Sequence, residues 1–319
     1  MDISRKLITC HDSDAAMILM LGSGGSTPLT KGVSEWLVGQ GVSVLPLSPE
    51  EGVVGYHSFP LERVEAESCE LKEHGIHKIG ILGASITTIP ALTAAAMFSD
   101  ITLTMVVAPC DYVLQGFTQG RRDGCREWPL EGESMLTWKG EPLAYVPYAY
   151  QHPDYWHIVQ AETKGSGNML CARKVFDDTE AKTPLTEEVM IPVEKICGRL
   201  LLIGCEDDCL WQTAHYIRRM DGRLKRRAHD CRYDALVYEY GTHYAFPESM
   251  LKKIIPVFPD FLIGRAFLSA REHPKECKAT REDVDFRMKQ ALNEWTKGGS
   301  LSRASTGFPT RGTPARWHL

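Results

Sequence analysis

The sequence predicts an α/β fold: a mostly parallel, doubly wound sheet carrying one cap-like insertion. Two observations carry that reading. Short apolar runs of strand length alternate with helix-length segments from residue 16 to 108, and again after 198. That rhythm belongs to a parallel sheet covered on both faces. Between Cys110 and Gly198 the rhythm is lost, and the chain becomes rich in Trp, Tyr, Pro and Gly, as in WKGEPLAYVPYAYQHPDYW at 138–156. The expected organisation is one domain over 1–299, with 110–198 folded over the sheet as an insertion and 300–319 as a disordered tail.

The elements follow in order. AMILML at 16–21 is an unbroken apolar run, as expected of a strand buried on both faces. It stops at GSGGST, 22–27, whose glycines open backbone conformations closed to other residues. A helix is expected from Lys31 to Gln40, then a strand at 42–47 (VSVLPL). Residues 60–74 read as a helix with Pro60 at its start and Gly75 just past its end. The third strand is expected at 78–83, its helix at 88–98, and the fourth strand at 101–108. After the insertion come a strand at 199–204 (RLLLIG), a helix at about 211–220, a strand at 235–240 (ALVYEY) and a helix at 247–256. From Ser300 the chain is polar and interrupted by Gly and Pro, which predicts disorder.

Composition narrows the class. The 319 residues can bury a substantial core. A net charge of −5 gives no electrostatic reason to expect nucleic acid or an anionic membrane as partner. No apolar run approaches the length of a bilayer span. Met1 leads into Asp2, Ser4, Arg5 and Lys6, not into a signal peptide. Ten cysteines without paired spacing predict reduced thiols in a cytoplasmic protein. Cys205 and Cys209 flank acidic residues but lack partners at zinc-site spacing, and read as small buried hydrophobes.

Chemistry-bearing residues cluster at the carboxyl ends of expected strands, where open α/β sheets bind ligands. Ser85 follows the strand at 78–83, CEDDCLW (205–211) follows the strand at 199–204, and GTHY (241–244) follows the strand at 235–240. Serine, acid, histidine is the chain order of α/β-hydrolases. A serine hydroxyl is a weak nucleophile until an imidazole takes its proton, and the imidazole needs an acid to hold its tautomer. His243 is the best base among the eleven histidines, since most of the others sit in polar helices, basic runs, the insertion or the tail. The acid is Asp207 or Asp208, one of which could instead cap the next helix; Glu206 is a weaker third candidate. For the oxyanion, the backbone N–H of Ile86 is one expected donor and that of Ser23 or Gly24 the other. The GSGGST loop matches neither G-x-G-x-x-G nor the Gly-Lys-Ser/Thr of phosphate cradles. One residue departs from G-x-S-x-G: Thr87 stands where glycine relieves crowding between strand and helix. A slightly opened elbow is expected, with Ala84 small enough to absorb strain.

With these residues placed, the chain resembles the catalytic domain shared by acyl-CoA thioesterases and bile acid-CoA:amino acid N-acyltransferases. The resemblance runs from about 16 to 299. It is carried by LGSGGST, KIGILGAS, DITLTMVVAPCDYVLQGF (100–117), TWKGEPLAYVPY (137–148), YEYGTHY and EDVDFRMKQALNEWTKG (282–298), and most specifically by IPVEKICGRLLLIGCEDDCLW (191–211). It implies an α/β-hydrolase fold, and in the 191–211 segment it implies Asp208 as the acid. Mammalian members carry an N-terminal β-sandwich for which this chain has no room, and the fifteen residues before the first strand imply a shortened N-terminal sheet edge. The family usually has Lys-Gly at Ile86-Thr87. Amino acid-conjugating members use cysteine as nucleophile, so Ser85 aligns this chain with the hydrolytic branch.

The expected activity is therefore an acyl-CoA thioesterase acting through an acyl-enzyme on Ser85, with Asp208 and His243, and without metal or other cofactor. The expected partner is a small-molecule acyl thioester. The aromatic insertion is expected to form the acyl pocket, and Arg121, Arg122 and Arg126 to face CoA phosphates or solvent. The alternatives are a carboxylesterase, dienelactone hydrolase-like or peptidase-like enzyme with the same triad, or a non-catalytic binding protein on the same fold.

Overall fold

The computed structural model describes residues 7–11, 13–20, 27–49, 55–119 and 127–297. The loop residues Ser23 and Gly24, the arginines 121, 122 and 126, and the tail 300–319 lie outside them.

The chain enters through β1 (Ala15–Met20), α1 (Pro28–Val38) and β2 (Ser43–Leu47), then two short strands, β3 (Gly55–Tyr56) and β4 (Phe59–Pro60), and α2 (Glu62–Glu73). Next come β5 (Lys78–Ala84), α3 (Thr88–Met97) and β6 (Ile101–Val107). The insertion holds β7 (Gln115–Gln119), β8 (Glu127–Ser134), β9 (Leu136–Trp138), β10 (Glu141–Pro142), α4 (Asp154–Thr163) and α5 (Arg173–Lys182). β11 (Arg199–Cys205), α6 (Thr213–Arg226) and β12 (Arg232–Tyr238) resume the alternation. The described chain closes with α7 (Glu248–Ile254), α8 (Pro259–Ala266), α9 (Leu268–Glu272) and α10 (Pro274–Thr296).

Six strands form the central sheet in the order β12-β11-β6-β5-β1-β2, every neighbouring pair parallel. Beyond β2, Ile8 makes a single antiparallel bridge to Val44. Successive strand residues point to opposite faces, and both faces are covered. Ile18, Ile79, Ile81, Leu200 and Leu202 enter one core, while Met17, Leu19, Leu103, Leu201 and Ile203 enter the other. This two-sided burial is why the strands read as unbroken apolar runs rather than alternating ones.

Some elements differ from expectation. α1 starts at Pro28, not Lys31, because Thr27 caps it: the Thr27 hydroxyl accepts the Thr30 N–H at 3.2 Å, and proline suits the first helical position. α6 runs on to Arg226, past the expected end near 220, because Met220, Arg223 and Leu224 continue its buried face. β12 lies at 232–238, not 235–240. It is the edge strand, so polar Arg232 and Asp234 are tolerated, and pairing from Arg199↔Arg232 to Cys205↔Tyr238 fixes its register. Glu239 and Tyr240 thereby pass into the loop that carries His243.

The insertion contains more strand than its composition shows. β7 pairs with both β3 and β8, and β9 with both β4 and β10. Residues 55–60, contributed from before the elbow, thus anchor the insertion. The bridge Tyr112↔Met190 ties its ends together, and Leu114↔Val146 joins its start to its middle.

Candidate active site

The elbow is sharp. β5 ends at Ala84, Ser85 takes a left-handed backbone with φ of 56°, and one 3-10 turn, Ser85–Thr87, leads into α3. A non-glycine residue in that region is uncommon, and such strain persists where the surroundings impose it. The close approach of strand to helix is met at Gly83, where a Cβ would come within 2.7 Å of the Thr87 carbonyl and 3.0 Å of the Ala91 Cβ. Thr87 itself fits inside the turn, 3% exposed. Its hydroxyl donates to the Ala84 carbonyl and accepts the Ala84 N–H, both at 2.9 Å. Thr88 adds a bond from its hydroxyl to the Ser85 carbonyl at 2.6 Å. The branched residue that stood out in the sequence is thus a clasp that ties the end of β5 to the turn.

The acid loop separates its three carboxylates. Asp208 is buried, and its Oδ2 accepts a hydrogen bond from His243 Nδ1 at 2.8 Å. The Thr213 hydroxyl donates to the same oxygen, and the Leu210 N–H reaches Oδ1 at 2.9 Å. Asp207 is no helix cap. Its Oδ1 accepts the backbone N–H of Thr242 at 2.7 Å and of Gly241 at 3.1 Å, and the Ser269 hydroxyl donates to Oδ2. Burial pushes the Asp207 carboxyl up, and these hydrogen bonds oppose the shift. Glu206 is exposed and pairs with Arg218.

The histidine loop follows β12. Thr242 has a φ of 60°, and its hydroxyl accepts the Tyr244 N–H at 3.2 Å. His243 is 5% exposed, with its ring edge-on to Trp211 at a centroid distance of 5.9 Å. A carboxylate bonded to Nδ1 fixes the tautomer with hydrogen on Nδ1 and leaves Nε2 as the base. Nε2 is buried and has no hydrogen-bond partner among the described residues. Ser85 and His243 line one cavity of about 60 Å³, with Ile86, Trp156, Phe176 and Trp211 among the other walls.

The structure therefore brings Ser85, Asp208 and His243 to one end of the sheet, with Ile86 beside them. Sequence reading did not find Thr213 or the role of Asp207. Gly204 is the one trace of the former, since a Cβ there would run into the Thr213 side chain. Among the described residues, no group of three or more His, Cys, Asp or Glu is placed to hold a metal ion, and no helix is long and apolar enough to cross a membrane.

A family model described as BAAT / acyl-CoA thioester hydrolase C terminal matches residues 70–250, a span that contains Ser85, Asp208 and His243. The chain belongs to this family. Its fold is the α/β-hydrolase fold, and its membership makes it a hydrolase-family protein. Solved structures with similarity include Est1E from Butyrivibrio proteoclasticus, at 12% identity and a TM-score of 0.37, covering 81% of this chain and 92% of that one. Carboxyl esterase 2 from Tuber melanosporum matches at 13% identity and a TM-score of 0.46, covering 90% of this chain and 80% of that one. A soluble variant of monoglyceride lipase from Saccharomyces cerevisiae matches at 10% identity and a TM-score of 0.43, covering 91% and 90%. Comparison with curated proteins gives no match.

Proposed function

We propose that the chain hydrolyses an acyl thioester, an acyl-CoA, through an acyl-enzyme on Ser85. The observation that carries this reading is the state of His243: Nδ1 bonded to buried Asp208 at 2.8 Å, and Nε2 unpaired beside the cavity that Ser85 lines. An imidazole held in that way is poised to accept a proton.

Ser85 Oγ adds to the thioester carbonyl carbon while its proton passes to His243 Nε2. The tetrahedral adduct collapses, the C–S bond breaks, and the leaving thiolate takes the proton from Nε2. Water then adds to the Ser85 ester and gives a proton to His243. As the second adduct collapses, that proton returns to Oγ, so thioester and water become carboxylic acid and thiol. Asp208 stabilises the imidazolium in both halves. The backbone N–H of Ile86 is one oxyanion donor in this reading, and that of Ser23 or Gly24 the second. A single domain over 1–299, with the 110–198 insertion walling the acyl site, and a reducing, cytoplasmic setting for the free thiols belong to the same proposal.

The test is labelling of the purified protein with a fluorophosphonate probe beside Ser85→Ala, followed by thiol release from acyl-CoAs and simple esters. Labelling of the wild type alone, with acyl-CoA turnover, is the expected result. A folded wild type that takes no label moves the reading to a binding protein on the same fold. Labelling with ester turnover but no thioester turnover moves it to a carboxylesterase.

A further inference from the structure

Exposed apolar side chains gather in one short segment. Of the nine large ones exposed among the described residues, four fall at 257–262: Val257 at 59%, Phe258 at 75%, Phe261 at 63% and Leu262 at 46%. Apolar side chains scattered singly on a surface are ordinary, whereas a contiguous group marks a contact.

Helix geometry makes this group a face. At about 3.6 residues per turn, Phe261, Leu262 and Arg265 fall on one side of α8, continued by Phe258 at its N-terminal cap. All four are exposed. Ile263 and Gly264 on the other side are buried, and Ile263 enters a small core with Leu251, Phe267 and Cys277. The apolar stripe of α8 thus points away from the protein. Phe258 also holds a left-handed backbone at φ 50°, uncommon for a bulky residue, although so exposed a ring adds little to the interior.

Charge selects the occupant. Asp260, the one acidic residue within 257–266, is paired with Arg281. Glu248, the other partner of Arg281, also pairs with Lys252, so two carboxylates and two cations balance. Lys253 and Arg265 bracket the patch in the chain, are exposed, and have no ion-pair partner among the described residues. Exposed apolar side chains beside unpaired cations suit the headgroup boundary of an anionic bilayer. A second copy suits them less, because a two-fold contact sets the face against itself and cation against cation. The described C-terminus is remote: Lys78 Nζ at the start of β5, the end of the sheet opposite His243, donates to the Thr296 carbonyl at 2.6 Å.

We propose that α8 is a membrane-docking face, and that its partner is a lipid surface with anionic headgroups. The overall charge of −5 weakens long-range attraction, so the apolar side chains supply most of the anchorage. Two contacts tie this face to the candidate active site. Exposed Tyr244, next to His243, packs on Phe267 at a centroid distance of 5.3 Å. The Met169 N–H donates to the Ala266 carbonyl at 2.8 Å, one residue before Leu170, which lines the cavity beside Ser85.

Co-sedimentation of the full chain with vesicles tests this, using phosphatidylcholine alone and an equimolar mixture with phosphatidylserine. The expected result is salt-sensitive binding to the mixed vesicles, and binding at least about fivefold weaker to phosphatidylcholine. Phe261→Ser combined with Leu262→Ser should weaken binding at least about tenfold. Arg265→Glu should weaken it at least about fivefold on the mixed vesicles only. Phe286→Ser, at an exposed position on α10, should bind like the wild type. Every changed side chain is exposed, and thermal unfolding checks that each variant folds. Full binding by the Phe261→Ser, Leu262→Ser protein overturns the assignment of the face. Equal binding to both vesicles, unmoved by Arg265→Glu, overturns the anionic surface. A wild type that stays in solution with both vesicles overturns the proposal. So does a wild-type dimer that the double variant converts to monomer, which makes the face a contact between copies.

Discussion

Asp207 holds Thr242 by its backbone, accepting the Thr242 N–H at 2.7 Å, one residue before the histidine whose ring Asp208 holds at 2.8 Å. Two adjacent carboxylates thus act on different parts of one loop, the first fixing its backbone and the second its imidazole. In the proposed mechanism their loss should differ in kind. Asp208→Asn is expected to lower kcat/KM by about 10³–10⁴-fold with the fold intact, since the wrong tautomer is then favoured. Asp207→Ala removes acceptors for two buried N–H groups and is expected to cost about 1–3 kcal/mol of stability, with a smaller fall in activity. Denaturant unfolding together with steady-state kinetics separates the two, and equal kinetic losses would contradict the division.

Ser85 carries backbone strain at φ 56°. Glycine adopts that conformation without penalty, so Ser85→Gly should be inactive yet as stable as the wild type, or up to about 1 kcal/mol more stable. Ser85→Ala should be inactive without that gain. Thermal unfolding of the three proteins measures the difference.

Thr87 offers a sharper test of the elbow, because its hydroxyl makes two hydrogen bonds to Ala84. Thr87→Val keeps the shape and removes the clasp, and is expected to cost about 1–3 kcal/mol and to slow the fluorophosphonate label. Thr87→Ser keeps the hydroxyl and should stay close to wild type. If Val and Ser behave alike, the clasp has no part in holding Ser85.

Gly204 sits against Thr213, the hydroxyl partner of Asp208. Gly204→Ala places a methyl where the Thr213 side chain lies. Overpacking of this kind typically costs about 1–3 kcal/mol, and here it should also disturb Asp208. The expected outcome is lower stability and lower kcat, with KM little changed. A stable variant with full activity would show that Thr213 is free to move.

Glu194, just before β11, is held down to about 2 by hydrogen bonding to Arg223, whose Nη2 lies at 2.8 Å. A carboxyl whose folded value is depressed contributes stability that is present above its ordinary value of 4.5 and is lost as the pH falls toward about 2. Glu194→Gln should therefore flatten the stability profile between about pH 4.5 and 2 while lowering stability at neutral pH. Urea midpoints across that range provide the measurement. An unchanged acid limb would mean that other carboxylates set it.

Much of this protein was legible in its sequence, because much of it is local. The two-sided burial of the sheet is written as apolar runs, and the strand–turn–helix at 78–97 as an apolar stretch meeting Gly83 and Ser85. Ser85, an aspartate pair and His243 could be placed at strand ends from the same short-range periodicity. Tertiary structure decided what depends on residues far apart in the chain. Which aspartate faces His243 depends on how two loops 35 residues apart meet, and alternation along one loop cannot supply that. The start of β12 was set by its pairing with β11, since a polar edge strand hides its own boundary. Gly55–Tyr56 and Phe59–Pro60 are strands only because β7 and β9 lie beside them. Thr87 read as an obstacle in the sequence because a residue type states its bulk, and only the fold states where the hydroxyl points. The cavity that Ser85 and His243 line belongs wholly to that second class: it is formed between helices of the insertion and the strand ends of the sheet, and no one segment contains it.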